Sequence, residues 1–350
     1  MNQNCANARK LLSVKPKAKL GFFPTPCYKL ENLSKELGVE LYIKRDDFTG
    51  MSLFGGNKIR KLEYLIGDAV KQGCDTVFTY GATQSNHAMQ TVTVCRRCGL
   101  TPILYLVAVV EPDEQDVRSN LLLDQILGAE IHIVKIEEGE TEEDAEKRSF
   151  VLAKGHQRRL EQEGHRCYDV PMGGASTVGS LGFVEGYTEL QEQMDDMGIH
   201  ADYIFHGTGT GGTMAGLAAG RALVGGDAEV ISINVSHKDD TYPERMAKLA
   251  DTCLESIGAE MKVDVENIHT DLGYYAPGYE IPNDGTLDAI RLLARTEGLL
   301  VDPVYTGKAF YGMLDHIRTG KVPQGSTVVF WHTGGATALF AEKEILGDLV

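Results

Sequence analysis

The chain has 350 residues, of which 43% are hydrophobic and 24% are charged, a balance typical of globular proteins. Its formal net charge of −16 argues against nucleic acid as a partner, because phosphate binding needs a basic face. The longest apolar run, residues 103–110, is too short to span a bilayer, and residues 1–21 lack the apolar segment of a signal peptide. Seven cysteines without a framework pattern indicate reduced thiols in a cytoplasmic protein.

Short β-branched or aromatic segments alternate with longer amphipathic segments along the chain. The expected strands are residues 40–44, 76–80, 102–109, 130–134, 167–170, 203–206, 230–234 and 328–331. The expected helices include residues 58–72, 86–98, 116–127, 143–163 and 179–197. This alternation predicts an α/β protein with parallel sheets. The dense charge run at residues 137–147 is interpreted as a solvated loop and helix face.

Residues 54–58, Phe-Gly-Gly-Asn-Lys, place a lysine directly after a glycine pair at the start of a predicted helix. Asn57 is a favourable N-cap, which makes Lys58 the first helical residue. A cation there opposes the partial positive charge of the helix N-terminus, and Arg60 and Lys61 lie in the same turn. Either an anion binds nearby, or Lys58 is a less basic amine that acts as a nucleophile.

Two loops that follow predicted strands have the composition of ligand-binding loops. Residues 207–213, Gly-Thr-Gly-Thr-Gly-Gly-Thr, offer backbone N–H groups and hydroxyls suited to a phosphate. They also match the dinucleotide fingerprint, but no carboxylate follows at the end of the next strand, so a monophosphate is favoured over NAD. Residues 79–87 could hold a small carboxylate before a helix, with capping by Ser85 or Asn86 as the alternative.

Further downstream, Tyr305 could stack on a flat ring and Thr306 could hydrogen-bond a ring atom, whereas core packing of Tyr305 is the alternative. No metal site is expected. The ten histidines show no ligand spacing of the HExxH kind, and the single pair Cys95 and Cys98 is a poor zinc site.

An activated lysine, a monophosphate site and a stacking aromatic residue are together the requirements of pyridoxal phosphate chemistry. The sequence resembles the pyridoxal-phosphate family that contains D-cysteine desulfhydrase, 1-aminocyclopropane-1-carboxylate deaminase and L-cysteate sulfo-lyase. The resemblance covers about residues 23–335. The matching segments, in order, are residues 43–47, 55–58, 84–87, 279–286, 302–308 and 332–335.

The resemblance implies fold type II, the tryptophan-synthase-β-like fold, with two domains that are each a mostly parallel twisted sheet flanked by helices. Residues 1–60 and 173–350 would form the larger, cofactor-binding domain. Residues 61–172 would form a smaller inserted domain, with the active site in the cleft between the two. The resemblance also implies a homodimer.

Site residues are implied by the same resemblance. Lys58 would form the Schiff base with pyridoxal phosphate. The catalytic residues would be Lys58, Ser85, Tyr279 and Tyr305. The cofactor-binding residues would be Lys58, Asn57, Asn86, Gly209, Thr210, Gly211, Gly212, Thr213, Tyr305 and Thr306. The substrate-binding residues would be Ser85, Asn86, His87, Tyr279 and Thr333.

Two positions bear on the reaction. The cyclopropane deaminases carry Glu where this chain has Thr306, and Leu where it has Thr333. A carboxylate beside the pyridine nitrogen keeps the ring protonated and a strong electron sink, whereas a neutral hydroxyl makes a weaker one. Elimination of a good leaving group from the β carbon tolerates the weaker sink, and opening a cyclopropane does not.

We therefore expect β-elimination from a small amino acid, with D-cysteine converted to pyruvate, hydrogen sulfide and ammonia. L-Cysteate or another β-substituted alanine is the alternative substrate, and cyclopropane deamination is disfavoured. Two other classes remain open: an NAD-dependent oxidoreductase and a catalytically silent amino-acid-binding relative.

Some residues depart from the family pattern, namely Phe54, Glu280 and the segment 172–177. Glu280 would repel a sulfonate if it pointed inward, which disfavours L-cysteate. Its alternative is an outward-facing, fully solvated side chain.

Overall fold

The computed structural model describes residues 2–52, 55–341 and 343–349. The strands are β1 (Cys27–Lys29), β2 (Glu40–Arg45), β3 (Thr76–Ala82), β4 (Thr101–Ala108), β5 (Glu130–Lys135), β6 (Cys167–Asp169), β7 (Tyr203–Thr208), β8 (Glu229–Asn234), β9 (His269–Asp271) and β10 (Thr327–His332). The helices are α1 (Gln3–Leu12), α2 (Glu31–Leu37), α3 (Lys58–Lys71), α4 (Asn86–Cys98), α5 (Ser119–Ile126), α6 (Glu142–Gln162), α7 (Thr177–Met197), α8 (Gly212–Val224), α9 (Tyr242–Ser256), α10 (Asp284–Glu297), α11 (Thr306–Arg318) and α12 (Lys343–Leu346).

The described strands form two sheets. The larger has the order β1-β2-β10-β7-β8-β9 and is parallel except for β1, which pairs antiparallel with β2. The smaller has the order β5-β4-β3-β6 and is parallel throughout. The prediction of an α/β fold with mostly parallel sheets flanked by helices is confirmed. The three-residue strands β1 and β9 were not predicted, whereas the equally short β6 was.

Apolar side chains cover both faces of the larger sheet, as a parallel sheet requires. Successive residues of β10 point to opposite faces. Val329 and Trp331 pack into the core formed with α1, α7, α8 and α9. Val328 and Phe330 pack into the core formed with α2, α10 and α11.

The first turn of α3 is held by a buried ion-pair network. Arg60 Nε lies 2.7 Å from Oδ2 of Asp46, and Arg60 Nη2 lies 2.9 Å from Oε1 of Glu189 on α7. Lys44 pairs with the same Glu189 carboxylate. Breaking one partner of a buried network of this kind costs about 3–5 kcal/mol, so the start of α3 is firmly placed.

The strands of the smaller sheet fall within residues 76–169, and those of the larger sheet within 27–45 and 203–332. The division into domains 1–60 plus 173–350 and 61–172 stays a prediction, and α3 runs across its boundary at residue 60. Within the described ranges, no helix has the length and apolar character needed to cross a membrane.

Candidate active site

The loops after β3, β7, β8 and β10 converge on one cavity of about 280 Å³. Such loops lie at the carboxyl ends of parallel strands, where α/β proteins bind ligands. The cavity brings together most of the predicted site residues. Those that line it are Asn57, Lys58, Ser85, Asn86, His87, Gly209, Thr210, Gly211, Thr213, Tyr279, Tyr305 and Thr333. Gly212 and Thr306 are not among its lining residues.

Lys58 is the first residue of α3, as predicted, and its amine faces the cavity. Its Nζ lies 3.1 Å from Oδ1 of Asn57 and 5.9 Å from the ring centre of Tyr305. Burial lowers the pKa of Lys58 to about 8, against a weaker opposing effect of the Asp302 carboxylate. About a tenth of the amine is therefore uncharged at pH 7, far more than for an ordinary lysine, as a nucleophilic lysine requires.

Asn57 does not cap α3 with its side chain, so that prediction is wrong. Its backbone is already helical, and its amide instead donates a 3.2 Å hydrogen bond to Oγ1 of Thr213 on α8. Its backbone N–H donates to the carbonyl of Thr333 after β10. Asn57 therefore joins the lysine to the loops of two neighbouring strands.

The glycine pair before Lys58 is explained by a close approach of backbones. Gly56 bridges to Gly334, which has a φ of +94°. A Cβ on Gly334 would lie 2.7 Å from the Cα of Gly56, closer than real side chains come. This contact lets the loop after β10 lie directly beside the start of α3.

The loop after β7 leads into the N-terminus of α8. Gly211 precedes that helix with a φ of +90°, a conformation that favours glycine. The first turn of α8 then points its N–H groups and its positive dipole end toward the cavity, an arrangement that binds phosphate.

Lys61 lies beside this loop. It is 2% exposed, its Nζ donates to the carbonyl of Gly173 at 3.2 Å, and a Cβ on Gly212 would lie 3.1 Å from that Nζ. Burial and the neighbouring Lys58 hold the pKa of Lys61 well below its usual value. Within the part of the chain that the structure describes, Lys61 has no carboxylate at ion-pair distance. An anion bound at the α8 N-terminus would supply the negative charge that Lys61 lacks as a partner, so these residues fit the phosphate of pyridoxal phosphate.

Lys61 was noted in the sequence only as a crowded charge. Its spacing of three residues from Lys58, which puts both on one face of α3, was the signal that would have found it. Met172 and Gly173, in the segment that departs from the family pattern, also line the cavity without having been assigned a role.

The loop before α4 combines capping with a place in the cavity. Ser85 Oγ accepts a 3.2 Å hydrogen bond from the N–H of Ala88, so the capping alternative is correct for Ser85 although it also lines the cavity. Asn86 Oδ1 accepts from Asn120 Nδ2 and Thr337 Oγ1, which fixes the orientation of its amide.

His87 is buried, and its Nε2 lies 2.8 Å from Oγ1 of Thr79. Burial, together with Lys58 and Lys61, holds the pKa of His87 well below its usual value. It is therefore a neutral imidazole in the cavity wall.

Tyr279 and Tyr305 hydrogen-bond through their hydroxyls, with ring centres 5.7 Å apart at 77°. The ring of Tyr305 lines the cavity, so packing alone does not explain it. Burial raises the pKa of both phenols, which therefore remain protonated at neutral pH.

Thr306 is fully buried behind the cavity wall. Its hydroxyl donates to Oδ1 of Asp302 at 2.5 Å, and it also accepts from the N–H of Asp302 at 3.0 Å. Its predicted contact with the pyridine nitrogen stays a prediction.

Glu280 is 2% exposed with a φ of +60°, so its interpretation as a solvated side chain is wrong. It is not among the cavity-lining residues, but its charge contributes to the raised pKa of Tyr279 and Tyr305. Phe54 lies outside the described residues.

Polar and charged residues from α6 and from the loop after β8 meet at the cavity. Glu142 and Glu146 of α6 line it, as do Ser236 and Lys238 after β8. Glu142 is exposed, in agreement with the solvated-face interpretation of residues 137–147, whereas Glu146 is half-buried and departs from it. Burial, with Glu142 and Glu143, raises the pKa of Glu146 to about 7, and burial lowers that of Lys238. Sequence reasoning missed all four because they come from distant segments.

A sequence model of the family described as pyridoxal-phosphate dependent enzyme matches residues 18–334. The chain belongs to this family. A putative 1-aminocyclopropane-1-carboxylate deaminase from Pyrococcus abyssi is 40% identical over 97% of this chain and 98% of the relative. A D-cysteine desulfhydrase from Salmonella paratyphi C is 38% identical over 93% of this chain and 96% of the relative.

Solved structures agree with this membership. A crystal structure described as an ACC deaminase homologue matches with a TM-score of 0.86 and 34% identity, covering 98% of this chain and 99% of that one. A threonine deaminase isoform from Solanum lycopersicum, with a TM-score of 0.65 and 16% identity, shares the fold. The predictions of fold type II, a pyridoxal phosphate cofactor and an enzyme of this family are confirmed, and the NAD-dependent alternative is dropped.

Proposed function

We propose that this enzyme is a β-elimination lyase that converts D-cysteine and water to pyruvate, hydrogen sulfide and ammonia. The observation that carries the proposal is the Lys58 amine of lowered pKa, which faces the same cavity as Ser85 and the protonated Tyr279. These groups can accept a proton from the α carbon and donate a hydrogen bond to a leaving group.

The cofactor site comprises Lys58, Lys61, Tyr305 and the loop at residues 209–213. When bound, pyridoxal phosphate supplies an aldehyde and an electron-withdrawing ring that stabilise negative charge on the α carbon of an amino acid. Lys58 supplies the amine that reacts with that aldehyde. Lys61 and the α8 N-terminus would neutralise the cofactor's phosphate, and Tyr305 would offer its ring to the flat pyridine.

Substrate binding and proton transfer fall to the remaining residues of the cavity. The loop from Ser85 to His87 binds the amino-acid carboxylate, with the α4 N-terminus behind it. Lys58, with a pKa near 8, accepts the α proton. Tyr279 keeps its proton because its pKa is raised, and its hydroxyl can donate a hydrogen bond to the sulfur, which departs as HS⁻.

The choice of reaction rests on Thr306. A neutral hydroxyl there supports elimination of thiolate, a good leaving group, rather than the opening of a cyclopropane. Relatives at similar identity carry both names, so their names do not decide between these substrates.

Product analysis tests the proposal. Purified enzyme is incubated with D-cysteine, L-cysteine, β-chloro-D-alanine, L-cysteate and 1-aminocyclopropane-1-carboxylate, and the 2-oxo acids are measured. We expect pyruvate and sulfide from D-cysteine at the highest kcat/KM. Faster release of 2-oxobutyrate from the cyclopropane, or faster sulfite release from L-cysteate, would overturn it. Binding of D-cysteine without pyruvate would support the catalytically silent relative instead.

We also propose a cytoplasmic homodimer. The free state of all seven cysteines supports the reducing compartment, and the family resemblance supports the dimer. Light scattering on the purified holoenzyme tests the dimer, and a monomer mass would contradict it.

A further inference from the structure

A cluster of three potential metal ligands lies on the smaller sheet. Glu130 and His132 are two residues apart on β5, so their side chains project from the same face. Helix α6 packs over that face, where Val134 and Ala153 share a core cluster, and brings His156 to the two strand residues.

The ligand atoms of the three side chains converge. Nε2 of His132 lies 2.7 Å from Oε1 of Glu130, and Nε2 of His156 lies 3.7 Å from the same oxygen. All three atoms lie within 4.8 Å of one another. Zinc bonds of about 2.0–2.2 Å place the ligand atoms of a tetrahedral site about 3.3 Å apart. Small side-chain adjustments therefore suffice to bind an ion at the centre.

A neighbouring tyrosine orients both imidazoles. Tyr105 of β4 is in register with His132, and the two rings stack with centres 4.5 Å apart at 11°. The Tyr105 hydroxyl lies 3.2 Å from Nδ1 of His156. With Nδ1 donating to that oxygen, the Nε2 lone pair of His156 faces Glu130, which is how outer partners orient metal-binding histidines.

His156 is largely buried, and its ring packs edge-on against Phe78 with centres 5.5 Å apart, which fixes its position. No spacing rule finds this site, because His132 and His156 lie 24 positions apart on a strand and a helix.

We propose that Glu130, His132 and His156 bind one divalent transition-metal ion, with Zn²⁺ as the best match and water in the remaining position. Two imidazoles and one carboxylate form a ligand set that suits zinc. Mg²⁺ and Ca²⁺ prefer oxygen ligands alone, so this set does not suit them. The ion would join the edge strand β5 to α6, whose first turns carry Glu142 and Glu146 to the cavity.

Zinc titration of the holoenzyme tests this site, by calorimetry after dialysis against a chelator. We expect one high-affinity Zn²⁺ per chain, with affinity reduced about tenfold or more in His132→Ala and in Glu130→Gln. Both residues are partly exposed, so these variants should fold. Two histidines beside exposed carboxylates serve as matched controls: His165→Ala next to Asp75, and His269→Ala next to Glu229.

Equal zinc affinity in His132→Ala and in the His269→Ala control would overturn the proposal, as would an unmodified enzyme that binds no zinc. Thermal unfolding gives a second, independent readout that does not depend on catalytic activity. Zinc should raise the Tm of the unmodified holoenzyme and leave that of His132→Ala unchanged, because an ion that binds only the folded state stabilises it. An equal rise in both would contradict the site.

Discussion

Lys58 and Lys61 lie three residues apart on α3 and line one cavity, and neither has a carboxylate at ion-pair distance within the described chain. Arg60 between them is paired with Asp46 and Glu189. The two explanations for a lysine at the start of α3 therefore both apply, to different residues. Lys58 is the amine that faces the cavity with a pKa lowered to about 8, and Lys61 is the lysine that a phosphate bound at the α8 N-terminus would pair with.

Replacing Lys61 with Met should weaken binding of pyridoxal phosphate to the apoenzyme about tenfold or more. A hydrogen bond to a charged group contributes about 1.5–3 kcal/mol, and 1.4 kcal/mol is a factor of ten. Equilibrium titration followed by absorbance measures the change. Lys71→Met, at the exposed end of the same helix, is the control and should bind as the unmodified chain does. Equal affinities for Lys61→Met and this control would contradict the role of Lys61.

The lowered pKa of Lys58 makes the apoenzyme more stable as the pH rises. The folded chain releases this proton near pH 8, whereas the unfolded chain retains it to about 10.5. Because the unfolded state binds more protons in that window, the contribution of Lys58 to the free energy of unfolding increases from pH 8 to 10.5. Urea unfolding of the apoenzyme and of Lys58→Met across this range measures it as a difference. A difference that stays constant with pH would argue against a lowered pKa.

The glutamates at the cavity should select against anionic substituents. Replacing Glu146 with Gln should raise kcat/KM for L-cysteate relative to D-cysteine by about twofold to fivefold, since a partly exposed charge interaction is worth about 0.2–1 kcal/mol. Glu143→Gln is the matched control, because Glu143 is in the same turn of α6 but pairs with Lys147 and is not among the cavity-lining residues. If the ratio of kcat/KM for L-cysteate to kcat/KM for D-cysteine is the same in both variants, Glu146 does not contribute to specificity.

The hydroxyl of Thr306 stabilises the buried Asp302 carboxylate. Thr306→Val removes that donor and should lower the free energy of unfolding by about 1–3 kcal/mol, measured in urea. Thr306→Ser keeps the hydroxyl and should restore most of the loss. Thr319→Val removes an exposed hydroxyl at the end of the same helix and should change stability by less than about 0.5 kcal/mol. A Thr306→Val variant as stable as Thr306→Ser would show that this hydrogen bond contributes little.

The site residues that could be predicted from sequence are those whose residue type is unusual for their place in the local structure. A lysine after a glycine pair at a helix start, and a glycine-rich loop between a strand and a helix, both conflict with simple stability and so indicate a site. Lys61, Glu146 and His156 could not be assigned in this way, because each looks like an ordinary helical residue. Lys61 lies beside Gly212 and His156 beside Glu130, and the charges of Glu146 and Lys238 influence each other, proximities that only the tertiary structure creates.

Local propensity also misled in one case. Asn57 has the side chain of a good N-cap, but the chain uses its amide to reach Thr213 on α8. Tertiary contacts replaced the local hydrogen bond because Asn57 lies where three loops meet. The alternation that predicted the larger strands was reliable, since buried parallel strands are long enough to show it.

The most direct test of the account is to identify the residue that forms the covalent link with pyridoxal phosphate. The holoenzyme is reduced with borohydride and digested, and the peptide that spans residues 55–71 is sequenced by tandem mass spectrometry. We expect the cofactor mass on Lys58, its persistence in Lys61→Met, and its loss together with the visible absorbance in Lys58→Ala. A cofactor mass on Lys61, or an unmodified Lys58 in an active enzyme, would contradict it.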